Sequence, residues 1–117
     1  MPIKAIQPTP TYVDEDLERV VTRDYGTTAL PEIKGILEFY GTESCQAEPL
    51  RVWMACLKLA NGNIEHLKAH VETACADYRD VLASAEYSRY MRAESQEQQQ
   101  QAIVADWQEL QAWLQKT

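Results

Sequence analysis

One phenylalanine, two histidines, four glycines and three cysteines are few for 117 residues, and each scarcity narrows what the chain can be. The glycines, at 26, 35, 41 and 62, are too scattered for a phosphate-cradling loop or a GxSxG elbow, which counts against nucleotide and acyl-transfer chemistry. Cys45, Cys56 and Cys75 form an odd, widely spaced set, unlike a secreted disulfide framework or a CxxC zinc pair, and read as reduced thiols. No apolar run reaches the roughly 20 residues of a membrane span. The opening MPIKAIQPTP has no apolar stretch behind a basic region, so a cytoplasmic address is expected. Basic residues number 11 against 18 acidic ones, a net charge of −7 whose field repels nucleic-acid phosphates and anionic lipid.

What is present is ordinary globular material, 45% hydrophobic and 25% charged, in a length that suits one domain with one core. The patterning predicts an all-α fold, a compact bundle of about five helices, spanning residues 1–117 as a single domain. Pro2, Pro8 and Pro10 make residues 1–12 an extended arm, because each fixes φ and removes an amide. A helical core over 14–93 follows. Its first helix runs from about Asp14 to Asp24, with acids at the positive dipole end and Leu17, Val20 and Val21 at helical spacing. Pro31 opens a second helix with a stripe of Ile33, Ile36, Leu37 and Tyr40. Residues 41–48 lack periodicity and read as a loop.

Between Pro49 and Ala60 only Arg51 and Lys58 are charged, and a helix apolar nearly all round is a buried one. This segment is therefore placed at the centre of the bundle, with Trp53 in the core and Arg51 and Lys58 sharing its one wet stripe. Asn61-Gly62-Asn63 is a helix break, Gly62 suiting a left-handed cap and Asn63 the next N-cap. Ile64, Leu67, Val71, Ala74 or Cys75, Tyr78, Leu82 and Ala85 then keep helical spacing for about twenty residues. YSRYMR, residues 87–92, fits either a continuation or a bend. Over 95–117 an amphipathic C-terminal helix is predicted, with capping-box spacing from Ser95 to Gln98 and a stripe of Ile103, Trp107, Leu110 and Leu114 widened by Trp113.

Three constellations invite a chemical reading. His66 and His70, four apart, share one helical face as metal-binding helices require, but no HExxH pattern or third ligand accompanies them, so both are expected on the surface. Cys56 and Cys75 lie on apolar faces and are expected to pack as small hydrophobes, whereas Cys45 sits in the loop. Arg79, Arg89 and Arg92, interleaved with Tyr87 and Tyr90, form a basic and aromatic cluster that should meet something acidic, either the chain's own acidic terminal segments or a partner.

A helix-turn-helix over 50–72 is disfavoured because IEHLKAHVE balances its one lysine with two glutamates. The expected function is a non-catalytic interaction or adaptor module that binds a protein partner or a second copy, with no cofactor, no nucleic acid and no membrane. Its expected contact residues are Trp107, Leu110 and Trp113 with the Arg and Tyr cluster, and the C-terminal stripe is expected to be covered by a second chain. The alternative is an acidic inhibitor or immunity-type protein that blocks a basic partner, and the least favoured class is a metal-dependent protein or enzyme built on the two histidines.

Overall fold

A computed structural model describes residues 8–117, and in it the described chain is all helical: α1 (Asp14–Tyr25), α2 (Leu30–Leu37), α3 (Pro49–Ala60), α4 (Ile64–Glu86), α5 (Ser88–Arg92) and α6 (Gln96–Gln115). The expected arm over 1–12 falls partly outside the described residues, but Pro8 to Val13 are non-helical as the prolines require.

Local chemistry sets the boundaries. Asp16 reaches back to accept a hydrogen bond from the Val13 amide at 3.0 Å, closing the first turn of α1, and Gly26 at φ +102° stops it. Pro31 lies in the first turn of α2, and Pro49 opens α3 after a left-handed Glu48. Asn61 and Gly62 both adopt positive φ, and the side chain of Asn63 accepts from the His66 amide at 2.9 Å to cap α4. A Cβ on Gly62 would sit 3.3 Å from the Asp24 carbonyl oxygen, so this turn is also where the α3–α4 hairpin closes on the end of α1. Ser95 accepts from the Gln98 amide at 3.1 Å, while the Gln98 side chain returns to the Glu94 amide at 2.8 Å.

Helix α3 is central. Val52, Met54, Ala55, Cys56, Leu57 and Ala60 are buried, and they join the inward stripes of α1, α2 and α4 in one core. Trp53 is not among them. It lies half-buried at the core's rim, its indole donating to the Tyr40 carbonyl at 3.2 Å over the 41–48 loop. That loop is pinned from both sides: the Gln46 side chain accepts from the Gly41 and Glu43 amides, and the buried Tyr40 donates its hydroxyl to the Ala47 carbonyl at 2.6 Å.

One stretch differs from the sequence reading, and the structure decides another that the sequence leaves open. Helix α4 is broken at Asp77, whose φ/ψ of −159°/102° is extended; its carboxylate accepts from the Arg79 amide at 3.0 Å and so caps a second helical half. The YSRYMR segment is both a bend and a helix, since Tyr87 is non-helical and Ser88–Arg92 forms a short separate turn.

Candidate functional site

The basic and aromatic cluster is split: Tyr87, Arg89 and Tyr90 are half-buried against the fold, whereas Arg79 and Arg92 are exposed. Asp106 of α6 has a side chain only 4% exposed, and its two oxygens accept from the Arg89 amide (3.3 Å), the Tyr90 amide (3.2 Å) and the Arg89 guanidinium (2.9 Å). A carboxylate from one helix thus caps the N-terminus of another, satisfying amides that α5 cannot pair internally. Arg89 also reaches Glu109, which is bound by Lys58 of α3 at 2.9 Å. These partners hold the Glu109 carboxyl below its ordinary value, the Lys58 hydrogen bond contributing most. Arg79 forks onto Asp77 next to it. Tyr87 packs half-buried against the core.

The expected wet stripe of α3 is therefore not free. Lys58 serves Glu109, and Arg51 forks onto Glu86, whose side chain is 5% exposed, with Glu48 on its other side. Arg51 and Glu86, with Asp106, border a cavity of about 130 Å³ beneath Pro8, Thr9 and Pro10, flanked by Trp107. Burial, with Glu86 nearby, holds the Tyr12 phenol well above its usual value. Although polar, the cavity offers no free charge: Arg51, Glu86 and Asp106 each have a partner within the fold.

The C-terminal half of the α6 stripe is covered by its own chain, while Ile103 and Trp107 stay half-buried beside the cavity. Leu110 is 2% exposed, and Trp113 and Leu114 pack against the main core. The end of α6 is gripped by α1: Arg19 donates to the Leu114 carbonyl at 2.6 Å, Arg23 to those of Trp113 and Lys116 at 2.6 and 2.9 Å, and the Arg23 guanidinium stacks 5.3 Å over the Trp113 ring. Cations on orphan carbonyls at a helix C-terminus are the favourable dipole arrangement. A second chain is not needed to cover Leu110, Trp113 and Leu114, and Leu110 is too buried to serve as a contact residue.

The histidines and thiols offer little chemistry. His66 is exposed and His70 half-buried; burial first, then His66, lowers the His70 pKa. Among the described residues no three His, Cys, Asp or Glu side chains converge to hold a metal ion. Cys56 is buried, and burial pushes its thiol up to about 12. Cys75 is exposed, contrary to the sequence reading, because the stripe of Leu67, Val71 and Ala74 turns position 75 about 100° off the buried face.

That outward turn exposes a feature the sequence reading missed. Ile36 and Phe39 on one side and Val71 and Cys75 on the other line an apolar groove of about 330 Å³ between α2 and α4, with Lys68 and Glu72 at its edge. Phe39, in the turn after α2, is 73% exposed, and the Cys75 thiol donates to its carbonyl at 3.5 Å. Val13, Met91 and Val104 are also exposed, but none of them lines this groove. The available signal is Phe39, which no predicted stripe explains.

No protein family, curated protein or solved structure matches the chain in comparisons with known proteins. No helix among the described residues is long and apolar enough to cross a membrane.

Proposed function

We propose that the protein is a non-catalytic interaction module whose partner-binding face is the groove between α2 and α4. The observation that carries this reading is Phe39, the one phenylalanine of the chain, left 73% exposed beside an apolar groove. A large apolar side chain gains about 1.5–3 kcal/mol when it leaves water, and the described fold leaves most of that gain unused at Phe39. Grooves of this kind receive an apolar edge or helix face from a partner. The non-catalytic part of the reading is supported by the chemistry of the titratable groups: the buried carboxylates cap or pair within the fold, and the buried thiol is held protonated.

The test is a photo-crosslinker attached to Cys75 in cells, compared with the same reagent on Cys45 in a Cys75→Ser chain. The reading predicts a discrete protein adduct from Cys75, absent from Cys45 and abolished by Phe39→Glu in a chain of unchanged circular dichroism. Equal labelling from both positions, or an adduct that survives Phe39→Glu, contradicts it.

A further inference from the structure

Resting on that reading, we infer that the occupant of the groove is a basic amphipathic helix of another protein, whose apolar face lies on Phe39 and Val71 and whose cations meet the groove's acidic rim. The charge of the rim is the ground for this. Glu72 lines the groove and Glu32 lies one turn before Ile36 on the same side of α2; neither pairs with another described residue. The one lysine at the groove, Lys68, is already held by Glu65 at 3.4 Å. Lys34 is two residues from both Glu32 and Ile36, which puts it on the other side of α2. The rim is therefore negative in a molecule that is already at −7, and a cationic partner is both steered to it and matched by it. A second copy would bring the same rim and the same net charge against itself.

The experiment uses three synthetic 18-residue peptides with one leucine stripe at helical spacing and lysine, glutamine or glutamate on the other face. Each is titrated into the isotopically labelled full chain by NMR. The expected result is amide shifts centred on residues 32–39 and 68–75, with the lysine peptide binding at least tenfold more tightly than the glutamine peptide and the glutamate peptide weakest. Raising salt should bring the lysine peptide towards the glutamine one. Glu72→Lys should reduce its affinity, and Phe39→Ser should abolish groove shifts for every peptide without changing the circular dichroism. Equal binding of the lysine and glutamine peptides overturns the charge inference and leaves the groove reading standing. Shifts spread over the acidic surface, or confined elsewhere, overturn both. Concentration-dependent broadening at 32–39 and 68–75 in the free protein assigns the groove to a second copy and overturns the basic partner.

Discussion

Replacing Asp106 with Ala removes three hydrogen bonds at once from a carboxylate that is only 4% exposed. The Arg89 and Tyr90 amides lose a charged acceptor at 3.3 and 3.2 Å, and the Arg89 guanidinium loses one at 2.9 Å while keeping Glu109. Hydrogen bonds to an ionised group contribute about 1.5–3 kcal/mol each in favourable cases, and an orphaned buried donor forfeits about 1–3 kcal/mol. The amide bonds here are long and α5 is a single short turn that can fray into water, so the lower ends apply and the sum is about 2–4 kcal/mol. Glu109→Ala cuts pairs whose carboxylate is 45% exposed and should lose less than about 1 kcal/mol. Urea unfolding followed by tryptophan fluorescence measures both, since three tryptophans report on the fold. Equal losses for the two variants, or a loss under about 1 kcal/mol for Asp106→Ala, would refute the claim that Asp106 caps α5.

Gly35→Ala should raise stability by about 0.5–1 kcal/mol, because the site is helical and has room for a methyl group; a loss in urea unfolding would show a hidden contact. Thiol titration at pH 8 should find Cys45 and Cys75 fast and Cys56 slow, and three fast thiols would contradict the burial of α3. Glu109 has its pKa depressed in the fold, so its contribution is present above the ordinary carboxyl value of 4.5 and is lost as pH falls through the lower folded value. Glu109→Gln should accordingly flatten the acid limb of the stability curve below pH 4.5, and an unchanged limb would rule out this pairing.

The elements most legible in the sequence were those governed by local chemistry. Asn63 and Ser95 announce helix starts through their side chains, and the near-absence of charge in α3 announces its burial. Asp77 was overlooked because apolar spacing continues across it, although an aspartate is a good cap for a restarted helix. The pairings of Arg51 with Glu86, Lys58 with Glu109 and Arg89 with Asp106 join residues 35, 51 and 17 apart, and no spacing rule reaches that far. The sequence does contain the cluster's acidic counterpart, in the C-terminal segment, but not which carboxylate it meets. The groove was illegible for a similar reason: each wall is an ordinary helix side, and only their juxtaposition makes a concave surface.

The open apolar surface at Phe39 lies at the groove between α2 and α4, whereas Leu110 of α6 is buried. Hydroxyl-radical footprinting of the free protein, read residue by residue by mass spectrometry, measures this directly. Phe39 should oxidise rapidly, at a rate independent of protein concentration, while Leu110 is protected and Trp113, stacked under Arg23, is slow. Rapid oxidation of Leu110 and Trp113 with Phe39 protected would place the open face on α6 and overturn the assignment of the groove.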